Sequence, residues 1–258
     1  MSDSVQIRPF KQLRSMAAGF LDLAFPSRCA CCGSWGAHAR LCEDCAIGMV
    51  HERLADSCPL CAGDIGPFAG SADGCGSCRD MRLRIMGTAR VSAYHHRAGI
   101  LIRQYKFRER PDIEPLLVEW LADSVAATRW RPRVEAVTYV PTHWRRTLRG
   151  RFHAARSLAK GVAKRLELPC VSLLRRTRHG PRQVGLSYSQ RQENVRGAFS
   201  LIPGTSVRGA RVLIIDDVRT TGATLEACAK ALRRGKVAEI YAAVVARARG
   251  TDDDLDAG

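Results

Sequence analysis

Between residues 88 and 246 the chain alternates short apolar runs with longer segments in which apolar positions recur at helical spacing. The runs have the length of strands and lie at residues 88–94, 136–140, 171–174, 212–215 and 240–246. The helical spacing covers residues 97–108, 113–121, 152–166 and 225–232. Strands that alternate with helices predict an α/β fold around a parallel sheet. At this spacing Trp120 belongs to the apolar face of its helix, so we expect it in the core.

The most informative stretch runs from Val212 to Thr224. Four consecutive apolar residues, Val212 to Ile215, predict a strand buried on both faces, and Asp216 and Asp217 follow directly. A run of small and hydroxylic residues comes next: Thr220, Thr221, Gly222, Ala223 and Thr224. Beyond it, Leu225, Cys228, Ala229 and Leu232 form the apolar face of a helix. The order is therefore strand, loop and helix.

This order places the loop at the amino end of a helix, where backbone N–H groups and the helix dipole favour an anion such as phosphate. Asp216 and Asp217 would repel phosphate, so they suit sugar hydroxyls or a hard cation such as Mg²⁺. The alternative is that the two aspartates only cap the helix that follows.

A second loop should open on the same edge of the sheet. The strand at residues 136–140 is followed by Pro141, Thr142 and His143, and parallel strands joined by helices share one functional edge. Donors on this loop could receive a pyrophosphate. The polar stretch 175–189 is long for a connector, so we interpret it as a mobile flap over the site.

The N-terminal pattern differs from that of the rest of the chain. Apolar residues among basic ones in residues 1–27 predict a helical lead, which would pack on the protein body or on a membrane surface. No signal-peptide pattern and no apolar run of about 20 residues occurs, so we expect no transmembrane segment and a cytoplasmic location. The acidic residues 251–258 predict a disordered tail.

Eight of the eleven cysteines form four C-x2-C pairs within residues 29–78. Such a pair can grip one side of a tetrahedral ion, and two pairs complete a four-cysteine zinc site. Eight ligands make two sites, so we expect a small double zinc ribbon at residues 28–86. Its ligands would be Cys29, Cys32, Cys42, Cys45, Cys58, Cys61, Cys75 and Cys78.

Sequential pairing would let each half of the ribbon close its own short loop, whereas interleaved pairing remains the alternative. Iron–sulfur ligation is the rival to zinc. A site closed by four thiolates leaves no open position for substrate, so we interpret both zinc sites as structural. Cys31 lies inside the first knuckle and is interpreted as a spectator.

Charge adds a possible class of partner. The net charge is +16, which would attract nucleic acid or phosphorylated substrates in a salt-dependent way. Aromatic residues make up only 6% of the chain, although stacking platforms for single-stranded DNA need them. The charge therefore permits DNA binding without establishing it.

The stretch from Val212 to Thr224 closely resembles the signature for 5-phosphoribosyl-1-pyrophosphate (PRPP) in type I phosphoribosyltransferases. With the four knuckles, Tyr105–Phe107 and Val140–Pro141, the chain resembles the ComF family over roughly residues 10 to 248. Proteins of this family combine a double zinc ribbon with a phosphoribosyltransferase-like domain, here placed at residues 87–250, and are associated with DNA uptake.

The resemblance implies PRPP and Mg²⁺ as ligands, with Asp216 and Asp217 as catalytic residues if the chain is a transferase. The implied PRPP-binding residues are Asp216, Asp217, Thr220, Thr221, Gly222, Ala223, Thr224, Pro141, Thr142, Lys106 and Arg191. The alternative for Lys106 is that it is a solvated lysine on a helix. The alternative for Arg191 is that it only caps and braces a helix.

Two departures stand out against the family pattern. Arg219 occupies a position that is usually smaller or apolar, and residues 150–154 depart from the usual Arg-Gly-Phe-Asn-Gln, with the Asn and Gln positions altered. His153 lacks a partner at ligand spacing, so a metal role for it is not expected.

Two hypotheses follow. The chain is either a Mg²⁺-dependent phosphoribosyltransferase of unknown acceptor or a non-enzymatic module that handles single-stranded DNA together with DNA-uptake proteins.

Overall fold

The computed structural model describes residues 28–35, 40–66, 74–79, 81, 83–94, 96–107, 110–142, 152–177, 195 and 197–248. In chain order the elements are α1 (Glu43–Leu54), α2 (Gly76–Arg79), β1 (Thr88–Ala93), α3 (His96–Phe107), α4 (Glu114–Ala126), β2 (Ala136–Tyr139), α5 (Ala154–Arg165), β3 (Leu174–Arg176), β4 (Phe199–Leu201), β5 (Arg211–Arg219), α6 (Ala223–Arg234) and β6 (Glu239–Arg247). Short 3-10 turns at Pro111–Ile113 and Arg131–Arg133 precede α4 and β2.

Four parallel strands form the main sheet in the order β1, β6, β5, β2. Ile214 of β5 lies beside Thr138 of β2 on one side and Ala242 of β6 on the other. The predicted α/β fold with a parallel sheet is confirmed. Because all strands run the same way, β2 and β5 end at the same edge.

Successive residues of β5 face opposite sides of the sheet, as strand geometry requires. Leu213 and Ile215 belong to the core that includes α4 and α5. Val212 and Ile214 belong to the core that includes α6. Both faces of the strand are therefore covered, which explains its uninterrupted apolar sequence. Trp120 of α4 is buried in the first core, as predicted.

The strand expected at residues 171–174 does not join the main parallel sheet. Only Cys170 makes a single parallel bridge with Val137 of β2. The chain then forms β3, which pairs antiparallel with β4 in a separate two-stranded sheet. Pro169 has no N–H to donate, which limits pairing at the sheet edge. Leu174 is instead buried in the core beside α6.

The cysteine-bearing region packs against the sheet domain. Cys45 and Met49 of α1 share a buried core with Leu101 of α3 and Val91 of β1. The boundary between residues 86 and 87 stays a prediction. Among the described residues, every helix is too short or too polar to cross a bilayer.

Several sequence-based expectations fall outside the described residues. They are the helical lead at residues 1–27, the tail at residues 251–258, most of the flap, His143 and Arg191.

Candidate functional site

Asp216 and Asp217 lie at the carboxyl end of the central strand β5. The sequence predicted that the strand ends with these two carboxylates, yet β5 continues through Arg219, because β6 pairs with it as far as Arg219 and Arg247. Local hydrogen bonds orient the carboxylates. The Asp217 amide donates to Asp216 Oδ1 at 2.9 Å, and the Val218 amide donates to Asp217 Oδ1 at 2.7 Å.

The loop from Thr220 to Gly222 leads directly from β5 into α6. Gly222 is the N-cap and has φ of 82°, a left-handed conformation that glycine adopts at little cost. It provides no side-chain cap, and Thr221 Oγ1 accepts from the Ala223 amide at 3.2 Å. The positive end of the α6 dipole thus follows the two carboxylates by a few residues in the sequence. As predicted, Leu225, Cys228, Ala229 and Leu232 form the buried face of this helix.

Lys106 reaches this strand end from the last turn of α3. Its Nζ lies 2.9 Å from Asp217 Oδ2, although the two residues are far apart in sequence. Desolvation of the ammonium group lowers the pKa of Lys106, but the charges of Asp217 and Asp216 outweigh this effect. The net result is a raised pKa of Lys106. The Lys106 side chain is 41% exposed, so its charge is also accessible to a ligand.

Asp216 is a buried carboxyl group with a strongly perturbed pKa. Burial, followed by the neighbouring charge of Asp217, raises the pKa of Asp216 well above its ordinary value, and Lys106 only partly offsets this. A cation or a hydroxyl donor placed here would stabilise the ionised form. The arrangement is therefore chemically suited to Mg²⁺ or to the hydroxyls of a sugar.

The Pro141–Thr142 loop follows β2 and lies beside the carboxylates. The Val140 amide donates to Ile215 O at 3.0 Å, which places the start of this loop next to Asp216. Pro141, Thr142, Lys106, Asp216, Asp217 and residues 220–224 therefore occupy one edge of the sheet. The binding roles assigned to these residues stay predictions, and Arg191 lies outside the described residues.

His153 is a residue of this edge that sequence reasoning did not place there. Its Nε2 lies 3.1 Å from the Thr142 amide and its Nδ1 lies 3.2 Å from the Arg156 amide. Burial, followed by the charge of Arg156, lowers the pKa of His153 to about 4, so the ring is neutral at pH 7. A neutral imidazole accepts through one nitrogen only. It can therefore serve one of these amides at a time. The sequence signals were its position just ahead of α5 and the departure of residues 150–154 from the family pattern.

Two clusters of four cysteines form in the N-terminal region. One contains Cys29, Cys32, Cys42 and Cys45, and the other contains Cys58, Cys61, Cys75 and Cys78. Within each cluster the ligand atoms all lie within 4.8 Å of one another. The pairing is sequential, so the interleaved alternative is wrong for these residues. Cys31 belongs to neither cluster, in agreement with the prediction.

The clusters have dimensions that fit zinc. Sulfur–sulfur distances are 3.6 Å for Cys32–Cys42, 3.8 Å for Cys61–Cys75 and 3.9 Å for Cys58–Cys78. A tetrahedral ion with Zn–S bonds of about 2.3 Å would separate its sulfurs by about 3.8 Å. Each cluster could therefore hold one zinc ion.

Backbone amides favour the thiolate form of some cysteines in each cluster, whereas burial raises the pKa of Cys45 and Cys78. The Cys31 amide donates to Cys29 Sγ at 3.4 Å, and the Cys75 amide donates to Cys58 Sγ at 3.2 Å. Hydrogen bonds from Ser34 lower the pKa of Cys32 to about 6. Burial raises the pKa of Cys58, yet backbone amides outweigh it and lower that pKa to about 7. Deprotonated sulfurs of this kind are the form that binds metal.

Known proteins are similar to the C-terminal domain alone and to most of the chain. A sequence model of the phosphoribosyl transferase domain matches residues 153–258. Competence protein F of Haemophilus influenzae is 29% identical over 213 residues, covering 81% of this chain and 90% of that protein. DNA utilization protein YhgH of Escherichia coli K12 is 28% identical over 229 residues, covering 84% of this chain and 96% of that protein.

Solved structures show partial overlap. Glutamine PRPP amidotransferase from B. subtilis is 24% identical with a TM-score of 0.38, over 55% of this chain and 30% of that protein. Adenine phosphoribosyltransferase from Leishmania donovani is 14% identical with a TM-score of 0.37, over 60% of this chain and 71% of that protein. The fold assignment rests instead on the parallel sheet and the domain match. Together with the two cysteine clusters and the near full-length relatives, the domain match agrees with the resemblance to the ComF family, in which a double zinc ribbon is joined to a phosphoribosyltransferase-like domain.

Proposed function

We propose that the chain binds PRPP together with Mg²⁺ at the edge where β2 and β5 end, and that it serves DNA uptake as a ComF-type protein. One observation carries the proposal. Asp216 and Asp217 precede the amino end of α6, whose N-cap Gly222 provides no side-chain cap, so a carboxylate pair and an anion site lie a few residues apart. PRPP combines vicinal hydroxyls with phosphates and therefore has matching groups for both.

The 5-phosphate is assigned to the loop at residues 220–224. The amino end of α6 carries the positive end of the helix dipole, and the loop offers the hydroxyls of Thr220, Thr221 and Thr224. Gly222 has a left-handed φ that favours glycine, and a side chain there would meet the buried guanidinium of Arg219 beneath the loop.

The ribose hydroxyls or metal-bound waters are assigned to Asp216 and Asp217. When Mg²⁺ is bound, it would neutralise part of the negative charge of the pyrophosphate. Lys106, held near the carboxylates by Asp217, provides a cation for the same phosphates. The Thr142 amide at the end of β2 supplies a further donor when His153 accepts from Arg156 instead.

A transferase reaction would use this arrangement to stabilise departing pyrophosphate. Pyrophosphate leaves C1 of the ribose through an oxocarbenium-like state, and a nucleophile then bonds to C1. The chain contributes positioning of the sugar and positive charge near the leaving group. Its acceptor is not specified by any group in the described site.

Calorimetry with Mg²⁺ and PRPP tests the proposal. We expect saturable binding by the wild type and at least tenfold weaker binding by the double variant Asp216→Asn, Asp217→Asn. Glu119→Gln, on the outer face of α4, is the matched control and should bind like the wild type. No binding by the wild type, or equal binding by the double variant, would refute PRPP as the ligand. Release of pyrophosphate with a supplied nucleophile would then distinguish a transferase from a PRPP-binding protein.

The second candidate function is binding of single-stranded DNA. The net charge of +16 favours it, and relatives carry the names competence protein F and DNA utilization protein. Phe107, which follows Lys106 at the end of α3, is 73% exposed and offers a stacking surface beside a cation.

Fluorescence anisotropy with a labelled single strand tests this candidate. Affinity should fall steeply as salt increases, and Phe107→Ala should weaken it by about 1–3 kcal/mol at low salt. Leu54→Ala, at an equally exposed apolar position on α1, is the control and should have no effect. A flat salt titration would count against a phosphate-tracking interface.

A further inference from the structure

Arg219 is an arginine buried at the root of the 220–224 loop. It is the last residue of β5, only 5% of its surface is exposed, and it departs from the family pattern noted above. A long cationic side chain is costly to bury unless it makes specific contacts. Its contacts lead in two directions, toward the second cysteine cluster and toward the loop.

Toward the cluster, Arg219 reaches the knuckle that carries Cys58 and Cys61. Its Nη1 donates to Thr88 Oγ1 at 2.9 Å and approaches Leu60 O at 3.5 Å. Thr88 Oγ1 also donates to Leu60 O at 2.7 Å, and the Thr88 amide donates to Pro59 O at 2.8 Å. Arg219 is therefore fixed to the backbone that lies between two metal ligands.

Toward the loop, the Arg219 guanidinium packs against Gly222. A Cβ built on Gly222 would lie 2.8 Å from Nε and 2.9 Å from Nη2 of Arg219. The neighbouring strand adds a second constraint, because Arg247 Nη1 donates to the carbonyl oxygen of Thr220. The turn that begins α6 thus rests on the guanidinium of Arg219.

Charge explains why this arginine is tolerated in the interior. Four thiolates around one zinc ion carry a net double negative charge. Three arginines from adjacent strands approach this cluster: Arg90, which pairs with Asp64 at 2.5 Å, and Arg219 and Arg247. Burial lowers the pKa of Arg219, and the charges of Cys61 and Glu226, followed by those of Cys78 and Cys58, act in the opposite direction without outweighing burial. The loaded cluster is a natural counterion for it.

We infer that Arg219 is a positioning residue that couples the 220–224 loop to the second four-cysteine cluster, so that metal at this cluster holds the loop in the form that binds a phosphate. The consequence for PRPP rests on the proposed function, whereas the consequence for the loop does not. The first cluster, Cys29 to Cys45, makes no hydrogen bond to the loop within the described part of the chain and should not be coupled to it.

The side-chain test compares Arg219→Met with Arg90→Met. Both variants remove a buried arginine that bonds to the ribbon, but only Arg219 touches the loop. With both zinc ions retained, Arg219→Met should weaken Mg²⁺–PRPP binding about tenfold, which corresponds to a tenfold smaller population of the competent loop. Arg90→Met should lower the melting temperature without changing that affinity. Arg219→Lys, which keeps the charge, should recover part of the loss.

The metal test uses hydrogen exchange and needs no PRPP. Cys58→Ser with Cys61→Ser removes two ligands of the second cluster, and Cys29→Ser with Cys32→Ser is the matched change at the first. We expect amide exchange in residues 216–224 to accelerate at least tenfold in the Cys58→Ser, Cys61→Ser variant. The same exchange should stay unchanged in the Cys29→Ser, Cys32→Ser variant.

The outcomes separate the coupling from the proposed function. If the wild type does not bind PRPP but exchange in residues 216–224 depends on the second cluster alone, the ligand proposal fails and the coupling stands. If exchange responds equally to both double variants, or to neither, the coupling is wrong. If Arg219→Met does not fold, the exchange experiment still decides.

Discussion

The contact between Lys106 and Asp217 gives a prediction in which stability and ligand binding respond differently. Lys106→Met keeps the aliphatic stem and removes the charge. The pair is close, with 2.9 Å between Nζ and Oδ2, but the Lys106 side chain is 41% exposed while that of Asp217 is 14% exposed. Solvent screening therefore reduces its worth to about 0–1 kcal/mol of folding free energy.

A phosphate ligand should depend on Lys106 much more strongly. A hydrogen bond to a charged group contributes roughly 1.5–3 kcal/mol, which is on the order of a 10- to 100-fold change in affinity. We therefore expect Lys106→Met to shift the melting temperature by at most about 4 °C and to weaken Mg²⁺–PRPP binding by at least tenfold. Calorimetric titration and differential scanning calorimetry measure the two effects.

Lys230→Met is the matched control, because this lysine is exposed on α6 and lies in the last turns of the helix. It should change neither quantity. Unchanged PRPP affinity in Lys106→Met would refute the phosphate role of Lys106. A loss of several kcal/mol of stability would instead show that the ion pair is structural.

The remaining predictions concern metal, protons and the loop. Purified protein should contain about two zinc ions per chain by elemental analysis and lose thermal stability on chelation; iron in place of zinc would overturn the assignment. Because the pKa of Asp216 is raised, the ligand-free site keeps its proton at pH values where an ordinary aspartate has lost it. Mg²⁺–PRPP binding should therefore release a proton and strengthen as pH rises through that pKa, and titrations in buffers of different ionisation enthalpy measure this release. The same raised pKa should make the ligand-free protein less stable as pH increases through it. Gly222→Ala places a Cβ at 2.8 Å from Arg219 at a φ of 82°, so it should cost about 1–2 kcal/mol or more in denaturant unfolding, and Gly209→Ala, at a φ of 77° with open space around its Cβ, is the control for the backbone strain alone.

The sequence by itself identified most elements of the parallel-sheet domain and the two carboxylates near the end of β5. Residue spacing identified the buried face of α6, because a helix repeats every 3.6 residues, and the apolar run Val212–Ile215 identified a strand covered on both faces. The C-x2-C spacing identified the eight cysteines that form the two clusters, since two cysteines three positions apart can already supply half of a four-cysteine site.

The tertiary structure decided whatever depends on residues that are distant along the chain. It selected sequential cysteine pairing, and it replaced the strand expected at residues 171–174 with β3, which pairs antiparallel with β4 outside the main sheet. It also brought Lys106 to Asp217 and Arg219 to Leu60. Local patterns report which face of an element is apolar, but not which other element covers it. The strand order and the packing of the ribbon on the sheet determine those contacts, and with them the coupling proposed for Arg219.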